Sequence, residues 1–367
     1  MRICCIAPSR IPSETANSIQ AMKACHALAQ IGHEVILIAP GDGPPGKKEE
    51  ERWQFLADQY GVETYFRQIY LPPFDGWLAR RVFPWRAVLQ ARKLKPDLIY
   101  TWLLQSAAGG LLQRRRVIVE MHGLPVGRFA GMWYRLFLRL PGQKRQMVIT
   151  QALKDRLSQE YPLPQPETLV APNGVELERY DQLPPPAQAR EQLGLPAMPT
   201  VACTGSVYAG RGVELVLALA SKMPDVHFLW VGGRPKEVDP WRSELARLQI
   251  KNVTFSGFVP NADLPRYQAA ADVLLMPYQH DVGGSSGAAP VEFFSSMKMY
   301  EYMASRRPII SSDLPVIHEV LDQQSAVFCP PTDEDAWAAA IRRLLNQPNE
   351  AAALAEHARQ LVQPFSW

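Results

Sequence analysis

In the run SSMKMYEYMASRRPII, residues 295–310, two serines open a helix-like segment, Lys298 and Glu301 stand three residues apart, and a proline leads into an apolar run. Ser295 or Ser296 suits the N-cap position, which leaves the amides of Met297 and Lys298 in the first turn without an intrahelical acceptor and aimed at an anion. Lys298 can neutralise a phosphate there. Glu301, one turn deeper, can accept hydrogen bonds from a vicinal diol such as a ribose. Taken alone, the pair also fits an exposed i,i+3 contact of ~0.2–0.5 kcal/mol. A second run, TGSVYAGRG, follows a β-rich segment and precedes a helical one. Gly205, Gly210 and Gly212 allow close backbone approach, and Arg211 stands at the helix mouth, where free N–H groups and the dipole favour a phosphate. The order G-x-G-x-x-G is absent, so an ordinary βα turn fits as well. Together the two runs offer two cations, amide donors and a diol acceptor, the set that a diphosphate, a ribose and a sugar would require.

Positioning these residues needs a particular architecture. RICCIAP reads as a strand, NSIQAMKACHALAQIG carries apolar residues at helical spacing, and HEVILIAP is a second strand. The alternation continues through DLIYTW, RRRVIVEMHG and QMVITQALKDRLSQEY, and restarts with TVACTGS, GVELVLALASKM and VHFLWVGG. Strands alternating with helices predict α/β domains with parallel sheets covered on both faces. Residues 181–199, rich in Pro and Ala, read as a linker. The expectation is two Rossmann-like domains, 1–180 and 200–367, with sheets facing a central cleft where ligands bind beyond the carboxyl ends of the strands.

The chain has 367 residues, 47% hydrophobic and 20% charged, enough for two full cores. No apolar run approaches the ~18–20 residues of a membrane span. The start, MRICCIAP, enters a strand without the pattern of an export signal, and the cysteines (Cys4, Cys5, Cys25, Cys203, Cys329) are odd in number and lack metal-ligand spacing. A reducing cytoplasm is the expected setting. The net charge of +3 conceals a basic first half, where charges mix with aromatics in FDGWLARRVFPWRAVLQARKLK, LLQRRR and MWYRLFLRLPGQKR. Such a mixture suits solvated helix faces, an acidic partner or peripheral contact with an anionic membrane, the last resting on Trp77, Arg80, Arg81, Trp85 and Arg86. No nucleic-acid reading motif accompanies it, so no nucleic-acid partner is expected.

The segments HGLPVGRF, APNGVELERY, TGSVYAGRGVELVLALA, VTFSGFVPNADLPRYQAAADVLLMPY and SSMKMYEYMASRRPIISSDLPVIHEVL resemble, in content and order, the retaining GT-B glycosyltransferases of group 1, or GT4. The resemblance spans nearly the whole chain, with PNGVE and KMYEYMASRRPIISSDLP its most specific parts. It implies a GT-B fold, a nucleotide-sugar donor (UDP-sugar or GDP-sugar) on the second domain, a glycan or lipid-linked acceptor on the first, and no metal or other cofactor. On its terms Arg211 matches the basic residue that binds the donor diphosphate, and Met297 and Lys298 the phosphate-facing helix start. Glu301 matches the second Glu of the family's pair, which holds the ribose. Phe258 and Val259 fall where the family's loop touches the base, and His122 resembles the His that borders the donor sugar and supports catalysis.

The sequence departs from that pattern at three places. The first Glu of the pair falls on Phe293 with Glu292 adjacent, the Arg after the glycine of the first loop is Ser206, and the loop after the first strand lacks a Gly pair. Ser295, Ser296 and Lys298 resemble a Ser-x-x-Lys helix start that substitutes for the missing cation. Ser13, Thr15 and Asn17 are the expected polar contacts on the acceptor side. The expected reaction is retaining hexosyl transfer, in cell-envelope polysaccharide or glycolipid synthesis. A nucleotide-sugar epimerase of the same fold and an inactive nucleotide-sugar-binding scaffold are the alternatives. The last residues are expected to return toward the first domain.

Overall fold

The computed structural model describes residues 1–72, 79–283 and 289–367. Trp77 lies outside the described residues. The chain divides into two compact units, Met1–Pro172 with Trp367 and Asn173–Ser366.

The first unit runs β1 (Arg2–Ile6), α1 (Ala16–Gln30), β2 (Glu34–Pro40), α2 (Glu49–Tyr60), β3 (Arg67–Leu71), α3 (Ala79–Leu94), β4 (Leu98–Thr101), α4 (Leu104–Leu112), β5 (Arg116–Met121), α5 (Ala130–Arg139), β6 (Lys144–Val148), α6 (Gln151–Glu160) and β7 (Glu167–Val170). Its seven strands pair in parallel in the order β3-β2-β1-β4-β5-β6-β7. The central strands are near-continuous apolar runs because helices cover both of their faces. Ile3, Cys5, Leu37 and Tyr100 accordingly share a core with Met22 and Cys25 of α1 and with Leu56 and Tyr60 of α2. Trp367 packs against this same core.

The second unit runs α7 (Pro186–Gln192), β8 (Thr200–Thr204), α8 (Val213–Lys222), β9 (His227–Val231), α9 (Pro235–Leu248), β10 (Val253–Gly257), α10 (Leu264–Ala269), β11 (Val273–Met276), the short strands β12 (Asp281–Val282) and β13 (Ala289–Pro290), then α11 (Met297–Ala304), β14 (Ile309–Ser312), β15 (Val327–Cys329), α12 (Glu334–Asn346) and α13 (Pro348–Leu361). Six of these strands form a sheet in the order β10-β9-β8-β11-β14-β15. Both large sheets are parallel and doubly wound, as the alternation of elements requires.

The unit boundary differs from the expected one. Asn173 already belongs to the second unit, and the stretch 181–199 is part of it rather than a free linker. Ala189 of α7 packs on Ala269 and Ala270, small side chains that let the backbones approach closely. Arg190 pairs with Asp272 at 2.8 Å and donates to the Ala270 carbonyl at 2.9 Å. A composition poor in large apolar residues hides contacts made by alanines and one half-buried arginine.

Two glycines fix the loop after β8. Gly212 has φ +86°, and a Cβ there would lie 2.3 Å from the Pro277 carbonyl oxygen. Gly232, at φ +127°, would place a Cβ 2.5 Å from the Gly205 carbonyl oxygen, which accepts a hydrogen bond from Trp230 Nε1 at 2.9 Å. Gly212→Ala combines a backbone clash with left-handed strain, and is expected to destabilise the second unit by more than about 2 kcal/mol, measurable as a lowered denaturant midpoint. An unchanged midpoint would contradict this packing.

His227 opens β9 between the hydroxyls of Thr200, 3.4 Å from Nδ1, and Thr254, 2.9 Å from Nε2. Burial, and secondarily Arg190, lower its pKa to about 4. Its folded-state pKa lies below the unfolded value, so the unfolded chain binds the proton more tightly. The stability contribution is whole above pH ~6.5 and is lost as pH falls toward about 4. Wild type should lose up to ~3 kcal/mol more than His227→Gln across that window, read by unfolding curves at each pH.

Candidate functional site

In the second unit the strand order reverses between β8 and β11, so the segments leaving their carboxyl ends meet at the point where open α/β sheets take ligands. Tyr278, just beyond β11, is fully buried. Its hydroxyl lies 2.7 Å from Ser296 Oγ, and its ring centre lies 5.5 Å from the Arg211 guanidinium and 5.0 Å from Lys298 Nζ. Arg211 also approaches the Phe294 ring at 5.1 Å and donates to the Gly283 carbonyl at 3.3 Å from Nε and Nη2. Lys298 reaches toward Gly205, where a Cβ would stand 3.5 Å from Nζ. The two sequence runs therefore converge, with both cations set around one aromatic ring.

A buried ammonium ordinarily has a counter-charge or several acceptors. Lys298 is only 8% exposed, yet its one hydrogen-bond partner among the described residues is Cys203 Sγ at 3.8 Å. Burial pushes the Cys203 thiol up, against the opposing pull of Lys298. The sulfur is therefore a neutral thiol at pH 7 and supplies no negative charge. Arg211 likewise meets no carboxylate among the described residues. An anion entering beside Gly205 would complete both cations.

Ser296 occupies the N-cap of α11 with an extended backbone, but its hydroxyl is directed to Tyr278 instead of a first-turn amide, which corrects the expected capping role. Ser295 is also buried. Its Oγ accepts from the Asn173 amide at 3.4 Å, and its carbonyl accepts from Asn173 Nδ2 at 2.8 Å. Met297, half-buried, and Lys298 supply first-turn amides that have no intrahelical acceptor.

Glu301 lies on α11 one turn beyond Met297 and Lys298. Its Oε1 accepts from Asn261 Nδ2 at 3.4 Å, and its Oε2 accepts from Gln268 Nε2 at 3.1 Å. Arg179 ties this group together: it pairs with Glu176 at 2.9 Å and donates to both Asn261 Oδ1 and the Asn261 carbonyl. A carboxylate oxygen accepts more than one hydrogen bond. Phe258, 37% exposed, and Val259, packed on the core, lead from β10 into Asn261, which brings their loop to Glu301. Ser206 is half-buried after Gly205, and the Gly210 carbonyl accepts from the Gln279 amide at 2.9 Å. Glu292 is exposed on a 3-10 turn, Val291–Phe293.

In the first unit His122 follows β5, and its Nε2 lies 2.5 Å from Glu120 Oε1. That buried carboxylate also accepts from Gln20 Nε2 at 2.7 Å and from the Tyr100 hydroxyl. Ser13 and Thr15 join their hydroxyls at 3.0 Å at the start of α1, and Asn17 is exposed. Sequence reasoning overlooked Glu120, Arg179, Asn261, Gln268 and Tyr278. A signal existed for two of them: Glu120 and His122 are two apart at a strand end and so share a side, and Arg179 lies in the run PNGVELERY. Among the described residues no group of three or more His, Cys, Asp or Glu side chains is placed to hold a metal ion.

Two family models match the chain, Glycosyltransferase Family 4 over residues 19–179 and Glycosyl transferases group 1 over residues 198–347. An alpha-D-kanosaminyltransferase of Streptomyces kanamyceticus is 26% identical over 180 residues, 48% of this chain and 44% of that protein. A GDP-mannose-dependent alpha-(1-6)-phosphatidylinositol monomannoside mannosyltransferase of Mycolicibacterium smegmatis is 27% identical over 250 residues, 65% of this chain and 63% of that protein. In these two the chain thus matches less than two thirds of the relative's length. Among solved structures, sucrose-phosphate synthase of Thermosynechococcus elongatus superposes with TM-score 0.74 at 22% identity, covering 100% of this chain and 95% of that one. Anabaena HepE in complex with UDP-glucose gives TM-score 0.74 at 19% identity, covering 100% and 96%. These likenesses establish the fold, and with the two family models in sequence they place the chain: it belongs to the group 1, or GT4, glycosyltransferases.

Proposed function

We propose that this protein is a retaining, metal-independent glycosyltransferase that moves a sugar from a nucleotide diphosphate sugar to a glycan or lipid-linked acceptor, in the synthesis of a cell-envelope polysaccharide or glycolipid. The observation that carries the donor reading is the buried Lys298 ammonium, which meets no counter-charge among the described residues, set with Arg211 around Tyr278 on the unit that holds Glu301. One relative is named for dependence on GDP-mannose, and a structural neighbour is solved in complex with UDP-glucose.

In this reading the donor diphosphate lies between Gly205 and the start of α11. As the bond from the sugar to the phosphate oxygen lengthens, negative charge grows on the leaving diphosphate. Arg211, Lys298 and the Met297 and Lys298 amides are already oriented to stabilise it, usually the largest catalytic contribution in such a site. Glu301, held by Asn261 and Gln268, takes the ribose hydroxyls. Phe258 and Val259 border the base. His122, anchored through Nε2 on Glu120 in the first unit, is the residue that the family resemblance assigns to catalysis.

A thermal-shift panel of nucleoside diphosphates and their sugars tests the donor site. One diphosphate at 100 times its dissociation constant should add about 2.7 kcal/mol to wild type and lose that protection in Glu301→Ala. Protection by none of them would sink the donor assignment. A protected protein that turns over no acceptor would instead be the inactive scaffold.

Lys298→Met separates binding from folding. Removing a buried charge that meets no carboxylate among the described residues should raise the stability of the free protein by about 1 kcal/mol, while protection by the diphosphate disappears. Retained protection in that variant would remove Lys298 from the site.

A further inference from the structure

Glu120 is buried in the first unit and makes no ion pair with Lys or Arg among the described residues; its one basic neighbour there is His122. A buried carboxylate without a guanidinium or ammonium partner is unfavourable unless donors meet its oxygens. Three groups do so. Oε1 accepts from Gln20 Nε2 of α1 at 2.7 Å and faces His122 Nε2 at 2.5 Å, and Oε2 accepts from the Tyr100 hydroxyl of β4. Gln20 and Tyr100 are themselves buried, and the Tyr100 ring packs against Trp102 with 4.7 Å between centres. The carboxylate is thus fixed from a helix and from the neighbouring strand before His122 reaches it.

This arrangement decides where the His122 proton sits. A carboxylate can only accept, and an ordinary imidazole binds a shared proton about a hundredfold more tightly than an ordinary carboxylate does. The proton therefore stays on Nε2. Nδ1 has no hydrogen-bond partner among the described residues and the side chain is 30% exposed, so Nδ1 is the nitrogen left to a ligand. In the neutral ring it accepts a hydrogen bond and cannot donate one. A glutamine at position 120 would meet Gln20 and Tyr100 as well, yet it could turn either its oxygen or its NH2 to the ring and leave the tautomer open. A carboxylate allows one tautomer.

We propose that Glu120 is a positioning residue, which holds His122 in the tautomer protonated on Nε2 and leaves Nδ1 as an acceptor for a hydroxyl of a bound substrate. Its value to catalysis rests on the proposed function, which gives His122 a part in the reaction, whereas the tautomer itself does not.

Nitrogen–proton correlation spectra of histidine-labelled protein, recorded above about pH 8 where an ordinary imidazole is neutral, separate protonated from bare ring nitrogens. His122→Gln identifies the resonances by their loss. Wild type should show a hydrogen on Nε2 and a bare Nδ1, and Glu120→Met, which removes the acceptor at similar volume, should show both tautomers. A bare Nε2 in wild type, or an unchanged spectrum in Glu120→Met, would overturn the proposal.

Slow hydrolysis of the nucleotide-sugar that protects the protein against melting, with water in the acceptor's place, gives a second readout. Glu120→Met should lower kcat about 10–100-fold, the usual cost of losing the partner that orients a functional imidazole, and leave KM for the donor within about twofold. The same substitution in a His122→Gln background should cost nothing further, because a residue that acts through another is silent once that other is gone. An equal loss in both backgrounds would reduce Glu120 to a support of the fold and overturn its positioning role. Should Glu120→Met melt too low to assay, the wild-type spectrum still decides the tautomer. A wild type that no nucleotide-sugar protects would count against the proposed function while the spectral test stands.

Discussion

An ammonium group taken out of water without a counter-charge costs several kcal/mol, and the carboxyl edge of the second sheet is arranged around Lys298, whose ammonium meets no carboxylate among the described residues. The Tyr278 ring returns part of that cost, about 0.5–2 kcal/mol for a desolvated cation over an aromatic face. Tyr278 is in turn held by Ser296. Gly205 takes φ +120°, a conformation that L side chains rarely adopt, and Gly232 must lack a side chain so that the Gly205 carbonyl can approach. Cys203 stays a neutral thiol. These features are separate in sequence and become intelligible together once the remaining deficit is assigned to an anionic ligand.

The same logic explains how much could be read without coordinates. The parallel sheets were legible because ICCI, VILIA and FLWV are continuous apolar runs bounded by helical periodicity, a pattern few folds share. Helices that contain proline were harder to delimit. α3 continues through Pro84 and α9 through Pro240, where the local rule against proline in a helix argues for an end. The unit boundary was misplaced because α7 is held by alanines and Arg190, which composition alone reads as linker.

At the site, residues with special backbone or charge were legible, and residues that only hold others in place were not. Gly205, Arg211, Lys298 and Glu301 could be singled out because their types limit what they can do. Tyr278 could not, since a tyrosine after a buried strand is ordinary until two cations are found near it. Asn261 and Gln268 are polar residues in unremarkable helical turns, and only the fold carries them to Glu301. Ser296 shows the converse: its N-cap position was legible, but its hydroxyl turned to the longer-range partner.

Tyr302 has a consequence for selectivity. Its hydroxyl accepts from the Thr204 amide at 2.7 Å and donates to Thr204 Oγ1 at 3.1 Å, bolting α11 to the last residue of β8 immediately before Gly205. The body of α11 and the strand end that leads into Gly205 are therefore held together. On the proposed donor reading, this tie would preset the distance between the two groups that meet the two phosphates of a diphosphate.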